Sequence, residues 1–435
     1  MDLLTANDKQ GQYPDSFYAI NAGANALDRF PSAQGDLTCD VCVVGGGFMG
    51  LSSALHLAQR GYDVILLEAQ RLGFGASGRN GGQVGQGQRS EQDELEDLVG
   101  LENARALWTI ARQSVDLVRD LSKSDLVHAD FHDGIIHADH RARNVQHSHD
   151  YVRHLQDTYD YQGIRALDRD ELRHLVNSPA YHGGSIYEDA GHIDPLQFVL
   201  GLARMAKAAG VRIFEESKVE SVFESTPARV TTDQAKITAD FVVLGCNGYL
   251  GRLNSHVAER VMPINNFVIA TEPLSPERQE SLIRNNHAVA DSKFVVNYFR
   301  FSDDHRLLFG GTESYGYKFP TDIAAAVRKP MLEIFPQLSD VRVDHAWGGT
   351  LGITMNRMPH FERLNGNILS LSGFSGHGVA MATLAGQIVA ETIAGQAERF
   401  DVMAAVPTTR FPGGVALRGP LLVLAMLWFS LRDRL

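Results

Sequence analysis

The amino-acid sequence predicts an α/β fold, with a Rossmann-like nucleotide-binding domain joined to a second domain of β-sheet plus helices. Three observations carry this. Residues 40–68 read as one βαβ unit: a short apolar strand "DVCVV", a helix with Leu51, Leu55 and Ala58 at helical spacing, and a second strand "DVILLE". Gly45-x-Gly47-x-x-Gly50 lies between the first strand and that helix, and Gly61 closes the helix. Residues 367–395, "NILSLSGFSGHGVAMATLAGQIVAETIAG", read as a strand, a glycine-rich loop and a helix. Apolar strands joined by a crossover helix imply a parallel sheet.

Composition sets the outer limits. The chain has 435 residues, enough for two or three domains. A net charge of −12 argues against nucleic acid and fits a small-molecule enzyme. Three cysteines in so long a chain fit a reducing compartment. Cys39 and Cys42 form a C-x-x-C, but they fall in a strand and not at a helix N-terminus, so buried packing is expected and not redox chemistry. The polar N-terminus lacks a signal pattern, and no apolar run is long enough to span a bilayer. A cytoplasmic protein is expected. The apolar tail "PLLVLAMLWFSLRDRL" has two readings: docking on the protein or a second subunit, or peripheral contact with the inner face of a membrane.

The elements follow in order. Residues 1–35 read as an N-terminal extension. Residues 36–90, 183–262 and 342–400 read as three pieces of the nucleotide domain. Residues 91–182, helical and charged, and 263–341, with strands "NNFVIATEPL", "FVVNYFRF" and "HRLLFGG", read as the substrate domain. "DPLQFVLGLARMAKAAG" reads as a helix, with Pro195 near its start and Gly210 at its end. A small β-meander precedes "ITADFVVLGCNG". Residues 401–435 form a tail with an apolar helix. The histidine-rich "VHADFHDGIIHADH" lacks metal-ligand spacing and reads as an exposed irregular or strand segment; no metal is expected.

Three stretches carry the chemistry. The glycines of Gly45-x-Gly47-x-x-Gly50 give a tight turn and let backbone approach a pyrophosphate at a helix N-terminus. Glu68 ends the second strand, placed to accept hydrogen bonds from ribose hydroxyls. This leaves NAD and FAD open. "GFGASGRNGG", residues 73–82, decides for FAD, whose flavin half must run past the next loop. Bare backbone at Gly75, Ala76, Gly81 and Gly82 would pass close to a flat ring. Ser77 would donate to phosphate, and Arg79 offers a rigid multi-donor fork. "GFSGHGV", residues 373–379, would aim a helix N-terminus at the charge that develops on a reduced flavin, with His377 adding charge or a hydrogen bond.

These stretches, with "GHIDPLQ", "RLLFGG" and "RMPHFERL", resemble the FAD-dependent amine and amino-acid oxidase family, which includes D-amino-acid, glycine and sarcosine oxidases. The resemblance spans nearly the whole chain. It implies an FAD-binding domain of the two-dinucleotide-binding flavoprotein type. It places FAD on Gly45, Gly47, Phe48, Met49, Gly50, Glu68, Ala69, Ser77, Arg79, Asn80, Gly81, Gly82 and Gln83, with Asn247 and Gly373 nearby. The backbone of Val219 would meet the adenine. Gly376, His377, Gly378 and Val379 would lie at the flavin's polar edge. Sarcosine-type members attach flavin through a cysteine in the region matching "GGTLGITMNRMPHF". This chain has none there, so non-covalent FAD is expected. Nor does a lysine closely follow "GFSGHG" to hold a substrate carboxylate.

The implied reaction is oxidation of an amine C–N bond by hydride transfer to flavin N5, then imine hydrolysis, with oxygen or another acceptor closing the cycle. Gamma-glutamylputrescine or a similar gamma-glutamylated polyamine is the expected donor. A cyclic or secondary amino acid is the alternative, and a non-catalytic FAD-binding, membrane-associated subunit is a third reading. His345, Tyr298, Glu313 and His377 are the candidate catalytic groups. Tyr298, Tyr315 and Trp347 would wall the amine. Arg300 or Arg357 would hold the glutamyl carboxylate.

Overall fold

A computed structural model describes residues 2–314 and 316–415. Its strands, in chain order, are β1 (Gly35–Val44), β2 (Val64–Leu67), β3 (Gln83–Val84), β4 (His132–Ala138), β5 (Ile164–Leu167), β6 (Gly184–His192), β7 (Arg212–Phe214), β8 (Ser221–Phe223), β9 (Ala228–Thr231), β10 (Ala235–Leu244), β11 (Met262–Thr271), β12 (Ala288–Asp291), β13 (Tyr298–Phe301), β14 (Leu307–Ser314), β15 (Val343–Ile353), β16 (His360–Asn365) and β17 (Ile368–Ser372). They form two sheets.

The first sheet runs β16-β17-β10-β1-β2-β7, with β8 and β9 attached through β10. The strands β17, β10, β1, β2 and β7 are parallel. Val41–Val44 are buried without alternation, as a strand covered on both faces requires. One cover is the helix Phe48–Gln59; the helix Gly378–Ile393 packs against it. A Cβ on Gly386 would lie 2.5 Å from Ser53 N, so this glycine sets how closely the two helices cross. Ser52 Oγ donates to Thr383 O at 2.6 Å across the same contact. The pairing brings both glycine-rich turns to one end of the sheet. Cys42 is buried in β1, and burial raises its thiol pKa well above the ordinary value; burial pushes Cys39 up to about 12. Neither is a reactive thiol.

The second sheet runs β15-β11-β14-β13-β12-β4-β6-β3, with β5 on β6. Two expectations shift here. β3, β6 and β15 fall in segments expected in the nucleotide domain, yet all three pair in this sheet. β15 matches β11 along its whole length, Met262↔Ile353 to Thr271↔Val343, and that ladder outweighs its closeness in sequence to β16. "FVVNYFRF" is a strand only over Tyr298–Phe301. The Asp291 carboxylate accepts from Asn297 N at 2.9 Å and Asn297 Nδ2 at 2.7 Å, which folds the preceding residues into a turn.

The helix after β6 is as expected: Pro195–Ala208, capped by Asp194, whose Oδ1 accepts from Leu196 and Gln197 N–H. The histidine-rich segment is β4, and among the described residues no group of His, Cys, Asp or Glu is arranged to hold a metal. The N-terminal residues pack on the body and do not trail from it: Tyr13, Phe17 and Tyr18 are buried. Among the described residues no helix is long and apolar enough to cross a membrane. The apolar tail lies outside the described residues.

Candidate cofactor and substrate site

The first glycine turn is built as its spacing demands. Gly45 has φ +109°, which favours glycine. A Cβ on Gly50 would stand 1.9 Å from Gly45 O, and one on Gly47 2.8 Å from Ser77 Oγ. Gly47 caps the helix Phe48–Gln59 without a side-chain bond, which leaves N–H groups and the positive dipole end for a phosphate. Ser77 Oγ accepts from Phe48 N at 3.0 Å, so its proton is still free to donate. Glu68 accepts from Gly46 N at 2.7 Å and Gln70 N at 2.8 Å, and burial pushes its carboxyl up to about 7. Gly50→Ala is expected to lose FAD and about 1–3 kcal/mol of stability, read by flavin content and Tm.

The loop "GFGASGRNGG" faces a cavity through Ala76, Ser77, Arg79, Asn80 and Gly81. Much of its bareness serves the protein itself. A Cβ on Gly75 would crowd the Tyr249 ring at 3.2 Å, one on Gly81 the Tyr298 ring at 2.5 Å, and one on Gly82 would meet Ile193 O at 2.1 Å. Gly75 and Gly82, expected against the flavin, therefore stand behind the wall. Gly45, Gly50, Glu68, Ala69 and Gly373 are likewise not among the residues that line this cavity. The Val219 side chain packs half-buried against an apolar cluster under the first sheet, and it does not line this cavity. Asn80 fixes the loop: its Nδ2 donates to Ala76 O and Ser77 O, and its Oδ1 accepts from Gly82 N.

Arg79 is buried and largely occupied. Its Nε donates to Phe74 O at 2.6 Å, and its Nη1 to both Asp8 carboxylate oxygens at 3.1 and 3.0 Å. Its Nη2 is buried without a partner. The second loop meets it across the cavity. Gly376 has φ +99° and Ser375 φ +49°. His377 caps the helix Gly378–Ile393 with no side-chain bond. Asn247 takes the Gly373 N–H at 2.9 Å and lines the cavity, as do Gly376, Gly378 and Val379. Burial, then Arg89 and His137, lower the His377 pKa to about 3, so of the two roles expected of it, charge or a hydrogen bond, the neutral imidazole is left with the hydrogen bond. Its Nδ1 is buried and unpartnered. Two uncapped helix N-termini, the unpartnered Arg79 Nη2 and His377 Nδ1, and a cradle that one Cβ would fill together fit FAD.

The second sheet forms the opposite wall. Ala290 pairs with both His137 and Tyr298, and Asn266 pairs with Glu313, so these side chains meet in one band. Tyr298 lies over Gly310, where a Cβ would be 2.0 Å from its Cζ, and its hydroxyl donates to Asn266 Oδ1. Arg89, Arg357 and Glu313 complete this end, and Gln83 lines it from β3. Tyr298, Glu313, His377 and Arg357 are thus brought together. Arg89, His137 and Asn266 join them unannounced by any motif. The one signal of Arg89 is its place in "GQGQRS", directly after the glycine loop.

Three candidates are not at the cavity. Arg300 is spent on backbone: Nε donates to Gly81 O at 2.7 Å, Nη1 to Phe301 O at 3.0 Å and Nη2 to Ile193 O at 3.0 Å. The Trp347 indole donates to Arg79 O at 3.0 Å and packs edge-on to Tyr18. His345 stands beside Phe17, ring centroids 6.1 Å apart. Tyr315 lies outside the described residues.

Comparison with known proteins agrees with this geometry. Residues 40–392 match the family described as DAO, FAD dependent oxidoreductase. The chain is 39% identical to gamma-glutamylputrescine oxidoreductase of Escherichia coli over 98% of its length and 99% of the relative's. It is 39% identical to the probable oxidoreductase OrdL of Rhizobium meliloti over 93% of its length and 94% of the relative's. Among solved structures, glycine oxidase from Geobacillus kaustophilus superposes with a TM-score of 0.69 at 20% identity, covering 83% of this chain and 95% of that one. That likeness speaks for the fold.

Proposed function

The chain belongs to the DAO family of FAD-dependent oxidoreductases, and from that premise we propose that it oxidises the C–N bond of gamma-glutamylputrescine or a similar gamma-glutamylated polyamine. One observation carries the reading: Arg89, Arg357 and Glu313 face the same cavity as the cofactor cradle. A gamma-glutamyl head bears one carboxylate and one ammonium, and a simple aliphatic amine has no use for two guanidiniums. The name of the E. coli relative supports the same donor.

Bound FAD supplies the acceptor for the hydride that leaves the amine-bearing carbon. The chain does the rest. Arg89 and Arg357 hold the carboxylate, and Glu313 takes the ammonium of the glutamyl head. His137 accepts the proton that the reacting amine must shed. Water then converts the released imine to an aldehyde and ammonia.

Anaerobic mixing with a panel of amines tests this. Gamma-glutamylputrescine is expected to bleach the oxidised flavin, and proline, pipecolate and sarcosine are not. Bleaching by the cyclic acids alone would instead favour the secondary amino acid reading, which also uses a carboxylate. A following oxygen pulse sorts oxidase from dehydrogenase.

The flavin is held without a covalent bond in this reading. Among the described residues no cysteine lines the cavity, and Cys246 Sγ, beside it in sequence, turns 3.7 Å from Val44 O. Denaturing the yellow protein with acid is expected to leave all colour in the supernatant; a yellow pellet would contradict it.

A further inference from the structure

We infer that the N-terminal segment, residues 2–13, is part of the FAD site, with Asp8 as the positioning residue that holds Arg79 toward the cofactor. The family match begins at residue 40, so this strap lies outside it. The strap is tied to both walls of the site. Toward the first sheet, Leu4 O accepts from Gln70 Nε2 at 2.8 Å, Gly11 N donates to Gln70 Oε1 at 2.6 Å, and Tyr13 donates its hydroxyl to Leu72 O at 2.7 Å. Gln70 and Leu72 lie on the connection between Glu68 and the loop "GFGASGRNGG". Toward the second domain, Asn7 Nδ2 donates to Tyr317 O at 2.8 Å and Asn7 Oδ1 accepts from Phe319 N at 2.9 Å.

Asp8 lies between these two sets of ties. Both its oxygens accept from Arg79 Nη1, and the two side chains are 9% and 1% exposed. Arg79 lines the cavity, and with Nη1 held by Asp8 and by Gly348 O at 3.2 Å its Nη2 is left buried without a protein partner. A buried N–H group without an acceptor is costly, and a bound anion or carbonyl of FAD relieves it. The strap thus acts on FAD through Arg79 without touching it.

The test is FAD affinity, read by titrating FAD-stripped protein and following flavin fluorescence. Asp8→Asn keeps the shape and removes the charge. It is expected to weaken FAD binding by about tenfold or more, the worth of one charge-assisted hydrogen bond. In an Arg79→Gln background the same change should add nothing further. Affinity within about twofold of wild type, or an equal Asp8→Asn effect in both backgrounds, would overturn the inference whatever happens to Tm. Hydrogen exchange on the wild-type chain needs no variant. FAD uptake should slow exchange of the backbone amides of residues 2–13, and unchanged exchange there would equally overturn it.

Discussion

Arg89→Gln is expected to lower kcat/KM for gamma-glutamylputrescine by about 10–100-fold, the loss of one charge-assisted carboxylate contact, while N-acetylputrescine changes little. The two amines share the reacting end and differ in the head, so the ratio isolates recognition of the head from the chemistry at the amine. The site is arranged so that an arriving anion is favoured. Arg89 and Arg357 have φ +95° and +62°, backbone conformations that a side chain rarely adopts. Burial, followed by the Arg357 charge, lowers the Arg89 pKa, and Glu313 offsets part of this. Two cations held together in a strained backbone are a cost that Glu313 offsets in part and a bound carboxylate would offset further. Arg89→Gly should therefore raise the Tm of the substrate-free enzyme while losing the preference. Equal losses for both amines would remove Arg89 from the carboxylate site and leave amine oxidation standing.

The sequence made some of this site legible and hid the rest for a definite reason. Motifs confined to one turn could be read directly: Gly45, Gly47 and Gly50 act locally, and so does the loop before Gly378. Pairings across the second sheet could not. His137 and Tyr298 share a band only because β4 and β13 flank β12, which lies about 150 residues after β4 in the chain. The strands were named correctly, but not the positions along them. Arg300 is two residues from Tyr298, Trp347 is two from Gly349, and His345 is four, so all three share a face with the cavity wall. Each lies where the helix Phe17–Asn21 covers that face: Arg300 donates to the Tyr18 hydroxyl at 3.2 Å, Trp347 packs on Tyr18, and His345 lies beside Phe17. The helix Phe17–Asn21, in the segment read only as an N-terminal extension, occupies the face at all three positions.

His137→Gln is expected to slow flavin reduction by about 100-fold near neutral pH, the usual worth of a positioned proton acceptor. An alkyl ammonium has an ordinary pKa of about 10, so almost every donor arrives protonated and must lose a proton before hydride can leave. Neutral His137 can accept that proton, but its lowered pKa makes it a far weaker base than the amine, so it passes the proton on to solvent and does not keep it. Its ring opens onto the cavity, but protein surrounds the cavity, so burial first and Arg89 second lower its pKa to about 4. The gap between wild type and variant should narrow as pH approaches 10, where solvent deprotonates the donor unaided. A stability signature accompanies the kinetic one. An unfolded histidine takes up a proton near pH 6.5, whereas folded His137 does so only near 4. The stability this provides is therefore present above pH 6.5 and is lost as pH falls through that window. Because the ring is open to the cavity, the loss will be smaller than the shift alone implies. His377, lowered to about 3, contributes in the same direction. The Tm of FAD-stripped His137→Gln should thus fall less between pH 7 and 5 than that of wild type. A wild-type reduction rate would take His137 out of the chemistry even if this stability slope flattened, because burial alone accounts for the slope and only proton acceptance accounts for the rate.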